Sequence, residues 1–418
     1  MQVLHDAWIF VVDNWLLLLP VGVIGILSWG VWGVRKFLST LYRPTVNDFR
    51  TTTSVVVPSF REDPDVLEAC LETWLAQDPT EVIVVLDVMD YEARRRLVAR
   101  RDRRLHVIVF AHEGKRSALG VGIRAASGEV LVLVDSDTRW TDGLLDAVQM
   151  PFVDPGVAAV STRQNVYQPN TSVWRRVADW IIDNRYLDFV PAMGRVGGVV
   201  CVSGRTAAYR RSAVMPVLQY LEHEFFLGRR CIAGDDGRLT WLMLASGHRT
   251  VYQSSAVALS MFPASFRAFC RQRLRWSRNS YRCYLTALWK GWIWHVPVIS
   301  QITVFQILLT PVTMGATAYY LAVAVVHPHT TTAVGLALLW LFMGRGIRSV
   351  AHLRRRPSDL WLLPLVTVTI MFVALPVKTW AFITMNKQGW LTRRAGLVGG
   401  EGQNAASLDR ASAGGGEA

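Results

Sequence analysis

"EVLVLVDSDT" (residues 129–138) runs a stretch of valines and leucines into two aspartates spaced two apart. A short, β-branched apolar run closed by an aspartate reads as a buried strand. Similar runs precede it: "SVVVP" (54–58), "EVIVVLD" (81–87) and "LHVIVF" (105–110). Between them lie segments with apolar residues at helical spacing. These are "DPDVLEACLETWLAQ" (63–77), with Asp63 or Asp65 as its cap, "YEARRRLVARRD" (91–102) and "GKRSALGVGIRAA" (114–126). Strand–helix alternation implies right-handed βαβ units and a parallel sheet. Ligands of such sheets bind at the carboxyl ends of the strands. Asp87 and Asp135 each end a strand and are expected to face one crevice. Beyond residue 150, "VAAVSTR" (157–163) and "GGVVCVSG" (197–204) are strand-like, and 171–190 is an amphipathic helix.

The chain has 418 residues, 51% of them hydrophobic, with mean hydropathy +0.24, which is apolar for a soluble enzyme. Residues 15–34 carry no charge, about the length that crosses a bilayer core of roughly 30 Å. Further uncharged stretches are 296–326, 328–344 and 361–377, whereas 35–290 has globular composition. The pattern is that of a membrane protein with a soluble domain inserted between spans, at about 15–34, 299–326, 328–344 and 361–385. Segment 361–385, with Pro364 and Pro376, has the alternative of lying along the interface. The first segment lacks a basic signal-peptide start, and Arg35, Lys36, Arg43 and Arg50 follow it, which places the soluble block in the cytoplasm. Five cysteines without metal-ligand spacing fit reduced thiols there. The net charge of +13 fits basic loops facing anionic lipid; acid-tipped strands disfavour nucleic acid as a partner.

Asp135 and Asp137, in extended geometry, share a face and offer two hard oxygen donors for Mg²⁺ or Mn²⁺; the plainer alternative is an Asp-stabilised turn. "GDDG" (234–237) reads equally as a general base or as a capped turn before a helix. Lys115 and Arg116 open a helix, an end that cations usually avoid, so a bound anion such as a diphosphate would resolve the conflict; the equal alternative is a basic surface helix end. In "RQRLRWSRNSYR" (271–282), Gln272, Arg275 and Trp276 share one helical face. Arg271, Arg278 and Arg282 are assigned to lipid headgroups.

Together and in order, these pieces resemble the membrane-embedded, processive family-2 glycosyltransferases, the hyaluronan, chitin and cellulose synthases. The resemblance covers about 55–285 and continues through the apolar part to 394. "VPSFRED" (57–63) is similar to the nucleotide-pocket motif, with Phe60 and Glu62; Asp87 matches a nucleotide-contacting aspartate. "GKRSA" is similar to the lysine motif near the diphosphate, with Lys115 and Arg116. "DSDT" matches the family DxD, with Asp135 on the substrate and Asp137 on the metal. "VSGRTAAYR" (202–210) resembles the acceptor-loop motif, and "GDDGRLT" the base motif, with Asp236 as base and Asp235 beside it. "QRLRW" (272–276) fits QxxRW, and 375–393 resembles a membrane-proximal stretch closing on Trp390 and Arg393. Arg205 stands where many relatives have proline, and Leu391 where they have glycine.

The resemblance, nearest to the hyaluronan synthase subgroup, implies a GT-A-type cytosolic α/β domain inserted between transmembrane helices, with amphipathic interface helices. It implies inverting transfer from UDP-sugar donors to a growing polysaccharide that is exported across the plasma membrane. The alternatives are a chitin-like homopolymer or a single addition to a lipid acceptor. The expected division is a spanning helix in 1–40, the catalytic domain in 41–285, helices forming a polymer channel in 286–394 and a disordered Gly/Ala/Ser-rich tail in 395–418. A multi-pass monomer or weak oligomer with a cytosolic C-terminus is expected.

Overall fold

The computed structural model describes residues 5, 23–111, 113–326 and 330–388. The strands are β1 (Thr53–Ser59), β2 (Glu81–Asp87), β3 (Leu105–Phe110), β4 (Val130–Val134), β5 (Thr138–Trp140), β6 (Val157–Val166), β7 (Thr206–Arg210), a two-residue hairpin of β8 (Phe225–Phe226) and β9 (Arg229–Arg230), and β10 (Arg249–Ser260). Eight of them form one sheet in the order β3-β2-β1-β4-β7-β6-β10-β5. The first four are mutually parallel, as the alternation requires. The expectation of a purely parallel sheet is corrected. β7 lies antiparallel between β4 and β6, and β5 runs antiparallel to β10. Segment 197–204 is not a strand: Gly197, at φ +73°, turns the chain, and a single bridge from Gly198 to Thr250 is its only pairing.

Alternation along β1 divides the core. Val55 and Val57 pack with Leu67, Leu71 and Trp74 of helix α2 (Pro64–Leu75), which Asp63 caps by accepting from the Asp65 amide at 2.9 Å. Helix α3 (Tyr91–Ala99) covers the same face through Ala93 and Leu97. Val56 turns to the other face, against Ala118 and Ile123 of helix α4 (Lys115–Ala125). α4 sits close because Gly122 has no Cβ; one there would lie 2.4 Å from Val56 Cγ1. Helix α5 (Leu144–Gln149) follows β5. The amphipathic segment is helix α6 (Val173–Asn184), a π-helical turn (Arg185–Phe189) and helix α7 (Val190–Arg195).

Helix α8 (Asp235–Ala245) carries the paired aspartates, and helix α9 (Phe266–Trp289) carries the QxxRW residues. The apolar part comprises α1 (Val23–Leu41), α10 (Val298–Leu308), α11 (Thr310–Val326), α12 (Thr330–Arg348), α13 (Val350–Arg355), α14 (Leu363–Val368) and α15 (Ala374–Ile383). Among the described residues, one helical run, Pro357–Ile383, is long and apolar enough to cross a membrane. A second, Val298–Leu308 with Thr310–Ala316, qualifies only if its 57° bend is counted within one span. The expected span at 15–34 lies partly outside the described residues.

Arg278 and Arg282 do not face outward as assigned. Arg278 donates to Thr384 Oγ1 at 2.8 Å, and Arg282 to the Met385 carbonyl, fastening α9 to the end of α15. A polar knot joins α6 to α13. His352 lies 2.9 Å from Asp183 and 3.1 Å from Asp359 through its two ring nitrogens, and its ring stacks on Trp180. Arg355 pairs with Asp183, Arg176 with Asp359, and Arg356 with Asp179 at 3.1 Å. Asp179, Asp183 and His352 are close enough to hold an ion. Yet three carboxylates already meet three guanidiniums and the imidazole, so no net negative charge remains to draw a divalent cation.

Candidate active site

The site forms at the carboxyl end of β4. Asp135 and Asp137 are not in extended backbone: the Thr138 amide donates to the Asp135 carbonyl at 3.1 Å, closing a turn. The turn still directs both side chains into one cavity of about 160 Å³. Glu62 braces it by accepting from Ser136 Oγ at 2.8 Å. Lys115, the first residue of α4, enters opposite, its Nζ 2.7 Å from Asp135 and 3.0 Å from Asp235. The cation at a helix start is thus answered by the chain's own carboxylates.

Asp235 and Asp236 open α8, where the amide ends favour negative charge. Gly234, at φ +77°, supplies the left-handed residue that turns the chain into that helix. Asp236 Oδ1 accepts from the Gly237 amide at 2.8 Å, and Cys201 Sγ lies 3.9 Å from its other oxygen. From α9, Gln272, Arg275 and Trp276 line the same cavity, as their shared face predicts. Gln272 is 7% exposed, and among the described residues its Oε1 has no hydrogen-bond partner.

Charge sets the protonation. Burial works against the Lys115 ammonium, but Asp135 and Asp235 outweigh it and raise its pKa. Burial would lift the Asp135 carboxyl too, yet Lys115, with Arg205 and Arg275 nearby, holds it below the ordinary carboxylate range. Asp235 goes the other way: burial, with Asp236 and Asp135 adjacent, pushes it up despite Lys115. Burial lowers the Arg275 guanidinium, against the attraction of four aspartates.

Other expected residues lie elsewhere. Arg116 points away from the cavity, donating to Glu224 at 2.6 Å and to the Gly234 carbonyl at 3.1 Å. It touches the site only through the backbone ahead of Asp235. Asp87 ends β2 and accepts from the Met89 amide at 3.0 Å; neither it nor Phe60 is among the cavity's described walls. Trp390 and Arg393 lie outside the described residues. The last described residue, Gln388, accepts from the Ile232 amide at 2.9 Å, just ahead of Gly234. The Trp276 ring is not bare: the guanidiniums of Arg205 and Arg273 lie 4.7 and 4.9 Å from its centroid.

Sequence reading passed over Arg185 and Tyr186, which reach the cavity from the π-helical turn, and Cys201 from the 197–204 loop. Arg185, Cys201, Ser280 and Tyr284 also wall a second cavity, of about 570 Å³, among α1, α9, α10, α12 and α15.

A largely parallel sheet tipped by an Asp-x-Asp turn is the GT-A-like glycosyltransferase fold. Its overall course matches the mannosyltransferase of Pyrobaculum calidifontis in complex with GDP-Man and Mn²⁺, with TM-score 0.63 at 20% identity over 89% of this chain and all of that one. The sequence model for "Glycosyltransferase like family 2" matches residues 50–279. An N-acetylglucosaminyltransferase of Bradyrhizobium diazoefficiens is 33% identical over 356 residues, 81% of this chain and 71% of that one. One from Rhizobium leguminosarum bv. viciae is 30% identical, covering 81% of both. A hyaluronan synthase of Streptococcus pyogenes is 27% identical over 90% of this chain and 91% of its own. The chain belongs to glycosyltransferase family 2. The expected leaning to hyaluronan synthases thus meets relatives of higher identity that carry a different name.

Proposed function

We propose that the chain transfers N-acetylglucosamine from its UDP derivative to the free end of a growing sugar chain, at the cytoplasmic face of the plasma membrane. The product then passes into the second cavity. One observation carries this reading: a cavity of paired carboxylates and cations shares a wall with a larger cavity among apolar helices. The names of the relatives at 33% and 30% identity support the sugar. The run Pro357–Ile383 and the bent pair serve as membrane segments.

In this reading Asp236 takes the proton from the acceptor hydroxyl as that oxygen attacks the anomeric carbon. Lys115 and Arg275 face the diphosphate as it departs, stabilising the charge that builds there. Gln272 and Trp276 hold the acceptor end in line, and Phe60, Glu62 and Asp87 serve the nucleotide. The hard oxygen donors of Asp137 and Asp135 fit Mg²⁺ or Mn²⁺, and Asp137 would be its ligand at the end of the Asp-x-Asp turn. When bound, that ion neutralises charge on the diphosphate.

A second reading adds a uronate to the product, giving a hyaluronan-like chain. It is favoured by the larger cavity's lining, which includes Arg35, Arg185, Arg273, Arg345, Arg348 and Lys378 and, among the described residues, no carboxylate. Purified protein incubated with single and paired UDP-sugars tests both. A chitinase-sensitive product from UDP-N-acetylglucosamine alone supports the first. A polymer formed only when UDP-glucuronate is also present supports the second. Absence of UDP release with every donor overturns the transfer reading.

A further inference from the structure

Arg205 sits where the chain leaves the 197–204 loop and enters β7. Its carbonyl accepts from the Asp135 amide at 3.1 Å, which fixes it beside the Asp-x-Asp turn. Its side chain crosses the cavity floor to two aromatic rings, lying 3.9 Å from the Phe262 centroid and 4.7 Å from that of Trp276. Those rings meet edge to face at 6.0 Å, so the guanidinium rests on a rigid aromatic corner. Among the described residues the guanidinium has no hydrogen-bond or ion-pair partner, and it lines the reaction cavity. A guanidinium is too basic to lose its proton at neutral pH, so the fork stays charged where it lies. A charged fork with unused donors in a confined site is costly unless a ligand completes it.

Two substrate groups could complete it: the donor's diphosphate or an acid on the acceptor. Position separates them. Lys115 already stands between Asp135 and Asp235 at the end assigned to the diphosphate. Arg205 instead lies on Trp276, the side chain assigned to the acceptor. A planar fork also matches a planar carboxylate with two parallel hydrogen bonds. On the far side of this corner Arg273 touches the same Trp276 ring and lines the larger cavity, so a chain moving on meets a second guanidinium.

We propose that Arg205 is a specificity-determining residue that binds the carboxylate of a terminal uronate on the acceptor when N-acetylglucosamine is added. This rests on the second reading of the product, with Trp276 marking the acceptor end, and gives that reading a recognising residue.

The test supplies UDP-N-acetylglucosamine with two short acceptors, one ending in glucuronate and the other in its methyl ester. Wild type is expected to favour the acid by roughly 10- to 100-fold in kcat/KM, the worth of a charge-assisted bidentate contact. In Arg205→Gln that preference collapses towards one through a rise in the acid acceptor's KM, and Arg205→Lys regains part of it. Equal use of acid and ester by wild type overturns the proposal without need of any variant, and continued turnover of the donor leaves the transfer reading standing. A variant effect confined to the KM of UDP-N-acetylglucosamine also overturns it, because that places Arg205 on the diphosphate. Absence of all donor turnover overturns both readings.

Discussion

Replacing Lys115 with methionine keeps the length of the side chain and removes its ammonium. In the native cavity that group lies 2.7 Å from Asp135 and 3.0 Å from Asp235. At an effective dielectric of about 20, unit charges so placed attract by roughly 6 kcal/mol per contact. Most of that offsets the loss of hydration, so the measurable quantity is the cost of stranding the partners, about 3–5 kcal/mol. For a domain of this size the melting temperature should fall on the order of 10 °C. The pH dependence has a definite sign. In the wild type, Asp135 is held below its ordinary value, so its contribution is present above the unfolded-state pKa near 3.9 and is lost as pH falls through the lower folded value. In the variant, burial and mutual repulsion raise both carboxyls. The deficit therefore develops as pH rises from about 4 through those raised values, and it narrows on acidification. Thermal unfolding followed by tryptophan fluorescence in detergent at about pH 4.5, 6 and 7.5 reads this directly. A variant as stable as wild type at pH 7.5, or a deficit that grows towards acid pH, would refute the assignment of Lys115 as the charge linking β4 to α8.

Asp236→Asn should cut turnover by roughly 10²- to 10⁴-fold, the usual worth of a general base, while UDP affinity measured by calorimetry stays close to wild type. Normal turnover would remove Asp236 from that role. Gly122→Ala gains helix propensity but drives a methyl to within 2.4 Å of Val56 Cγ1. The net destabilisation should be about 1–2 kcal/mol by denaturant unfolding, and it should be relieved when Val56→Ala is combined with it.

Strands β1–β4 and β6, and α2 with its Asp63 cap, were legible because each rests on local periodicity or on the end of an element, whereas the gathering of Lys115, Asp135, Asp236 and Arg275 was implied by the family resemblance. What was lost depends on direction and pairing. Lys115 and Arg116 are neighbours in sequence, but successive helical residues point about 100° apart, so one enters the cavity and the other turns to Glu224. β7 is a short run whose antiparallel place beside β4 is settled by tertiary pairing, which no period encodes. Arg278 and Arg282 looked like headgroup ligands because the sequence does not show that α15 returns alongside α9. Arg185 and Tyr186 reach the cavity through a π-helical turn that ordinary helical spacing conceals.

The knot of Asp179, Asp183, His352 and Asp359 with its arginines has a mechanical meaning. It crosses the joint between α6, whose continuation brings Arg185 and Tyr186 to the reaction cavity, and the short helix that follows α12. So many directional pairs, with the carboxylates and the imidazole buried and the guanidiniums reaching in from the partly exposed side, resist shear more than an apolar contact, which can slide at little cost. The joint therefore acts as a fixed abutment for the turn that carries Arg185 and Tyr186, and on the proposed reading of a growing sugar chain it would keep that wall of the cavity in register while the chain moves.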